Sequence, residues 1–386
     1  LPPGHHNGTQ MIAVEQIDPS SRRQRARFVE LPYRLYAGSP QWVPPLRQTV
    51  NCWLSPSQHP FYTHSTAEFF VAVENGRDVG RVAALEHRPF NTEQGVRQAH
   101  FYGFESENNP AIAAALLDRV AAWAQERQLD TLIGPKGFSV LDGFGILIDG
   151  FEQQQLMNLT NYTLPYYPAL LEGWGFTKML DLISCRLDAR SLKLPSWLDE
   201  LADWARQKSG LQVHGFTSLH SWAQDAPRIL RLYNRSLKQN WEYYPFSAQE
   251  IAFVLDSIKP TIHPQLVKVL SDHSELAGVL IVLPDLTAAL RRAQGRLTPL
   301  SIADLLLAAR RRPRSVAVAA LGVLPEYRLR GGNALLFAEL LKTVTELGIQ
   351  HAELVQIPET ATEMRRDLSV LGIPAYKTHR VYRKQL

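Results

Sequence analysis

The chain has 386 residues, of which 45% are hydrophobic and 20% charged, a balance ordinary for a soluble globular protein and a length sufficient for two core-forming domains. The net charge of +4 mildly favours anionic partners without separating nucleic acid from a phosphorylated cofactor. Two distant cysteines, Cys52 and Cys185, speak against a disulfide framework and a zinc site, so no metal is expected. No apolar run reaches the roughly 18 to 20 residues of a membrane span, and no signal pattern follows Met11. A cytoplasmic location and no membrane partner are the expectation.

Residues 1–10, with His5-His6 and Asn7-Gly8-Thr9, read as a tag remnant. The basic run Arg22 to Arg27 reads as a solvated face, like Arg310 to Arg314 further on. Phe69 to Val73, a polar turn and Val79 to Ala83 predict a hairpin. A central strand, Ala99 to Phe104, runs into the acidic, glycine-free segment Glu105 to Pro110. An amphipathic helix over 111–128 then leads to the strand Thr131 to Ile133, with Leu116, Val120 and Trp123 on its apolar face. Asp142 to Asp149 lacks the downstream glutamate of a calcium-binding EF-hand. A short helix ends at Gly175 before a strand over 177–187, and Ser191 to Ser196 reads as a linker.

The same order then recurs. Leu266 to Leu270 and Gly278 to Val282 predict the second hairpin, Ser315 to Val323 the central strand, 333–348 the helix and Ala352 to Val355 the next strand. A helix ending at Gly372 and a strand over 375–383 close the chain. The predicted architecture is α/β with a mixed sheet, in two copies over 11–190 and 191–386. Only the second copy joins its central strand to the next helix through arginines and glycines. There Arg328, Leu329, Arg330, Gly331, Gly332, Asn333 and Ala334 form a helix start at which glycines admit an anion and unpaired amides receive it.

The run Val323 to Gly331 resembles the fourth strand and coenzyme A loop of the GCN5-related N-acyltransferases (GNATs), whose pattern is Gln/Arg-x-x-Gly-x-Gly/Ala. Arg328 and Gly331 match, and Asn333 stands where Gly or Ala is usual. The resemblance extends over nearly the whole chain to a bacterial group of tandem GNATs, through Ile133-Gly134-Pro135, Asp149-Gly150-Phe151, Asn161-Tyr162, Gly175 to Leu182, Leu283 to Leu286 and Tyr376-Lys377-Thr378. It implies two tandem acyl-CoA N-acyltransferase-like domains, the first degenerate, and transfer from acetyl-CoA or another acyl-CoA to an amine. It places Leu321, Gly322 and Val323 on the pantetheine arm and 328–334 on the pyrophosphate.

The tyrosine and asparagine that the family often uses are replaced by Leu368 and Ala361, so Glu353 is the candidate base and Tyr376 the candidate acid. Two aromatic stretches supply candidate acceptor residues, Asn240, Trp241 and Tyr244 in one and Tyr162 and Tyr166 in the other. The acceptor is a small-molecule or peptide amine. Two alternatives stand beside this reading: aminoacyl transfer from a charged tRNA, the one nucleic-acid partner considered, and a non-catalytic acyl-CoA sensor.

Overall fold

The computed structural model describes residues 12–189, 196–273 and 275–386, without the side chains of 198 and 199. The expected tag remnant and all but the last residue of the expected linker lie outside the described residues. The first half runs β1 (Ala13–Gln16), α1 (Arg22–Leu35), α2 (Arg47–Trp53), β2 (Thr66–Glu74), β3 (Arg77–Glu86), α3 (Arg88–Gln94), β4 (Gln98–Ser106), α4 (Pro110–Glu126), β5 (Thr131–Gly134), β6 (Ile146–Asp149), α5 (Tyr167–Gly173) and β7 (Thr177–Asp188). The second runs α6 (Ser196–Lys208), β8 (Leu211–Gly215), α7 (Leu219–Ser236), α8 (Ala248–Ile258), β9 (Val267–Asp272), β10 (Glu275–Pro284), α9 (Thr287–Ala293), α10 (Pro299–Arg310), β11 (Ser315–Val323), α11 (Pro325–Arg328), α12 (Gly332–Leu347), β12 (His351–Pro358), α13 (Thr362–Val370) and β13 (Ala375–Gln385). The architecture is the mixed α/β one, and both predicted hairpins are present as β2–β3 and β9–β10.

All strands join one 13-stranded sheet in the order β1-β2-β3-β4-β5-β13-β7-β12-β11-β10-β9-β8, with β6 on β13. The two halves exchange their last strands. β13 pairs β5 of the first half, and β7 pairs β12 of the second, so the central pair β13–β7 welds the halves through antiparallel hydrogen bonds from Ala375 to Arg383. Gly175 and Gly372, which precede those strands, take φ of +100° and +67°, left-handed conformations in which a β-carbon is strained.

Helices cover both faces. In the first half α4 buries Leu116, Val120 and Trp123 on one face, and α1 and α2 bury Phe28, Val50 and Trp53 on the other. In the second half α12 covers one face through Leu336, Leu340 and Val344, and α7 and α8 cover the other through Trp222, Ile229 and Val254. Leu156 and Met157 of the first half belong to that last core, so the halves share buried surface as well as a sheet.

Candidate active site

Each half opens a crevice where two parallel strands part. β11 and β12 pair only from Ser315 with His351 to Val318 with Leu354 and then diverge, just as β4 and β5 pair only from Gln98 to His100. A bulge lies at each opening. On β11 the register to β10 jumps from Val318 to Ala320, leaving Ala319 with no cross-strand partner on either side. On β4 the register jumps between Tyr102 and Glu105, where Gly103 has φ +57°. A bulge re-aims the backbone and frees its amide, which suits a site where negative charge develops.

The helix starts beyond these strands differ as their sequences do. No side chain caps α12, whose N-cap is Gly331 at φ +79°, so the first-turn amides of Gly332, Asn333 and Ala334 have no helical acceptor. Gly332 is packed so closely that a β-carbon would lie 2.8 Å from Leu270 and 3.0 Å from the Tyr327 carbonyl. Arg328 and Arg330 shape this loop. Arg328 donates to the carbonyls of Val323 (2.9 Å) and Ser236 (3.3 Å), and Arg330 pairs with Asp272 at 2.8 Å and donates to the Ser209 carbonyl. At α4, by contrast, Asn109 caps the Ala111 amide at 2.9 Å and Pro110 has no N–H. Glu107 beside it is paired with Arg77 at 2.8 Å, so this helix start offers a phosphate an acidic, side-chain-capped turn in place of open amides.

A cavity of about 600 Å3 opens in the first half's crevice. Its walls are β4 from Tyr102 to Glu105, Trp42 and Trp53 around α2, the segment from Ser139 to Ile146, and Phe253 and Leu297 from the second half. Deep in it lie three charged groups. Arg81 is 3% exposed and donates from Nη1 to the Phe28 carbonyl at 2.5 Å, its Nη2 is 3.8 Å from Glu105, and its Nε has no partner. Glu105 accepts from the hydroxyls of Tyr36 (2.8 Å) and Tyr167 (2.7 Å). Asp142 accepts from the amides of Phe138 (2.7 Å) and Ser139 (2.9 Å), yet burial pushes its carboxyl up to about 6.

No family model matches the chain. A bacterial ceramide synthase of Caulobacter vibrioides is 27% identical over 369 residues, covering 93% of this chain and 94% of its own. Protein YghO of Escherichia coli is 27% identical over 364 residues, covering 93% and 92%. Among solved structures, a tandem GNAT protein from the clavulanic acid biosynthesis pathway matches 97% of this chain and 98% of its own with a TM-score of 0.53 at 13% identity. A GCN5-related N-acetyltransferase from Sphaerobacter thermophilus matches 97% and 95% with a TM-score of 0.51, also at 13% identity. This chain has the tandem GNAT fold.

Within that fold the sequence-predicted residues fall in separate places. Leu321, Gly322 and Val323 lie on β11 past the opening, and 328–334 form the turn and first residues of α12. Glu353 and Tyr376 meet, the Tyr376 hydroxyl donating to the Glu353 carboxylate, with Arg186 at 3.9 Å from the glutamate and the Lys377 ammonium at 3.3 Å from the tyrosine. Burial, then Glu353, raise Tyr376 well above the usual phenol range, so its proton is held tightly. Glu353 also stands opposite Ala317, one residue before the GNAT crevice opens. This pair therefore ties β12 to β13 at the closed end of the crevice.

The aromatic candidates divide. Tyr162 lines the cavity, whereas Tyr166 donates to the Ser106 carbonyl at 2.7 Å and is not on the cavity wall. Tyr244 is buried, donates to Glu250 at 2.8 Å and packs against His87 with ring centroids 4.2 Å apart and tilted by 60°, a packing position. Asn240 and Trp241 sit in the loop between α7 and α8, which follows the end of α7 that presses on Gly322. A β-carbon on Gly322 would lie 2.0 Å from the Ser236 hydroxyl and 3.1 Å from the Tyr233 ring. Trp241 touches Phe144 at 5.5 Å, and Gln356 of β12 accepts from the Phe144 amide (3.1 Å) and donates to its carbonyl (2.7 Å). One segment, 139–146, thus walls the cavity on one side and reaches the second crevice on the other.

Sequence reasoning missed Lys136, Arg81, Glu105 and Asp142. Lys136 directly follows Gly134-Pro135, and Asp142 begins the stretch weighed only as a metal loop; among the described residues no group of His, Cys, Asp and Glu could hold a metal. The Lys136 ammonium has no hydrogen-bond partner and lies 3.5 Å from the Phe90 ring centroid and 5.1 Å from that of Trp241. Burial pulls it down to about 7, against the attraction of Glu242. An amine with a lowered folded pKa destabilises the fold wherever it is protonated, fully below about pH 7 and not at all above its unfolded value near 10.4. Lys136→Met, compared with its parent in a Glu242→Gln background, is expected to raise the urea midpoint at pH 6 and to do so less and less as the pH approaches 10. A difference that stays constant with pH would count against a buried, proton-losing lysine.

Proposed function

We propose that this chain is an acyl-CoA-dependent N-acyltransferase whose amine acceptor carries a long apolar chain. The observation that carries it is the pairing of an uncapped, glycine-built helix start in the second half with a large cavity in the first half's crevice, walled on one side by Phe253 and Leu297 of the second. The amides of Gly332, Asn333 and Ala334 would take the pyrophosphate, and the strand from Ala319 to Val323 the pantetheine arm. Acyl-CoA supplies the thioester; the amine, once its ammonium proton has passed to water, attacks the carbonyl carbon, the C–S bond breaks, and the proton shed by the nitrogen goes to the departing thiolate. The unpartnered Ala319 backbone at the bulge offers an N–H where the carbonyl oxygen gains charge.

A cavity of about 600 Å3 lies in the range that encloses a bulky ligand, far more than a small amine fills. Its carboxylates, Glu105 and Asp142, against one arginine, favour a cationic ammonium over an anionic head. The relative named a ceramide synthase points the same way, since a ceramide is an N-acylated long-chain amino alcohol. The sequence expectation of transfer from acetyl-CoA or another acyl-CoA to a small-molecule or peptide amine is narrowed in this proposal to long-chain amines.

The test is product formation, followed by mass spectrometry, with acetyl- and palmitoyl-CoA against a short amino alcohol and a long-chain one. Turnover of the long-chain amine is expected, with little of the short one. Thr49→Trp, at an exposed position on the cavity wall, should raise KM for the long-chain amine at least tenfold and leave any slow turnover of the short one unchanged. Equal use of both amines, or no effect of the tryptophan, would remove the cavity from the reaction.

A further inference from the structure

Helix α10 breaks the rule that an apolar helix is buried. Its sequence, Pro299 to Arg310, carries four leucines and an isoleucine, yet Ala309 is its only buried residue. Leu300 is 84% exposed, Leu307 49% and Ile302 43%, and Leu297, just before the helix, 39%. Exposed arginines bracket this surface, Arg291, Arg292 and Arg296 before it and Arg310, Arg311, Arg312 and Arg314 after it. The single acid between residues 287 and 314 is Asp304, paired with Arg292 at 2.9 Å, so this stretch has a net charge of +6 where the whole chain has +4.

The surface is also joined to the cavity. Leu290 of α9 and Leu297 line it, and the turn between α9 and α10 is clamped to the first half, where the Gly295 carbonyl accepts from the Arg47 amide at 3.0 Å and the Gln294 carbonyl from the Arg47 guanidinium at 2.8 Å. Exposed leucines with flanking arginines beside a cavity opening are what a bilayer interface recognises, apolar groups entering the acyl region while cations meet lipid phosphates.

We infer that α9 and α10 form a docking surface for an anionic lipid bilayer, which sets the mouth of the cavity against the membrane. This departs from the sequence expectation of no membrane partner, which rested on the lack of a spanning run; among the described residues no helix is long and apolar enough to cross a membrane. This surface would lie on the bilayer without crossing it. The inference stands on exposure and charge and does not depend on which amine is acylated.

The experiment is co-sedimentation of the full chain with vesicles of phosphatidylcholine alone and of phosphatidylcholine with one third phosphatidylglycerol. Binding is expected to the anionic vesicles, weakening with salt, and little to the neutral ones. Each arginine near such a surface contributes about fivefold, so the Arg310→Gln, Arg311→Gln, Arg312→Gln triple variant should lose roughly a hundredfold. Leu300→Ser with Leu307→Ser should lose at least tenfold, and because both residues are exposed the fold should survive, as circular dichroism would register. Equal binding to both vesicle types, no binding to either, or unchanged binding by both variants would overturn the inference. So would self-association of the chain that the leucine pair abolishes while vesicles are ignored, which would make the surface a contact between copies.

Discussion

Asn333→Glu is expected to stabilise the protein slightly and to weaken acyl-CoA binding on the order of a hundredfold. Asn333 is exposed in the first turn of α12, beside amides that no side chain caps. A carboxylate there meets the positive end of the helix dipole, worth about 0.3 to 1 kcal/mol to the fold. The same carboxylate would face the pyrophosphate. Two like charges about 4 Å apart repel by about 4 kcal/mol at an effective dielectric of 20, and salt reduces this to the expected two decades. Calorimetric titration with coenzyme A and a thermal melt on the same sample read both signs. Retained affinity would move the pyrophosphate away from α12, and a lowered melting temperature would mean that the helix start is not as described. Arginine removal is a less direct probe of the loop, because Arg328 and Arg330 hold it to Val323, Ser236, Asp272 and Ser209.

Arg81→Ala is expected to cost about 3 to 5 kcal/mol, the range for breaking a buried ion pair from one side. Burial dominates both partners: it pulls the Arg81 guanidinium down and pushes the Glu105 carboxyl up despite their mutual attraction. Without Arg81, Glu105 keeps only the hydroxyls of Tyr36 and Tyr167 and must either carry an uncompensated charge or take a proton. The double variant Arg81→Met, Glu105→Gln removes both charges and should recover most of the loss. Urea denaturation of the parent, the single and the double variant measures the loss and how much of it is recovered. If the single variant loses less than about 1 kcal/mol, or the double gains nothing back, the pair is not the electrostatic floor of the cavity.

Much of the fold was legible. A period of 3.6 marked α4 and α12, which bury one face each, and short apolar runs around polar turns marked β2–β3 and β9–β10, whose strands are covered by helices on both faces. The contrast between Glu107-Asn108-Asn109-Pro110 and Arg330-Gly331-Gly332-Asn333 was local chemistry, and it reappears as one capped and one uncapped helix start. Glu353 and Tyr376 were named where the family's usual tyrosine and asparagine are replaced; that the two side chains meet, at the closed end of the crevice, follows from the register of the strands.

What the sequence by itself determined is the order of elements in each half and the contrast between the helix starts of α4, capped by Asn109, and α12, left without a side-chain cap, both governed by residues near one another in the chain. The tertiary structure alone decided the exchange of β7 and β13, since a strand's periodicity says which face it buries and nothing about which edge it joins. It also decided the cavity. Arg81, Glu105, Asp142, Phe253 and Leu297 are scattered over about two hundred residues, and they line one cavity only because the shared sheet and the segment 139–146 bring both halves to one opening.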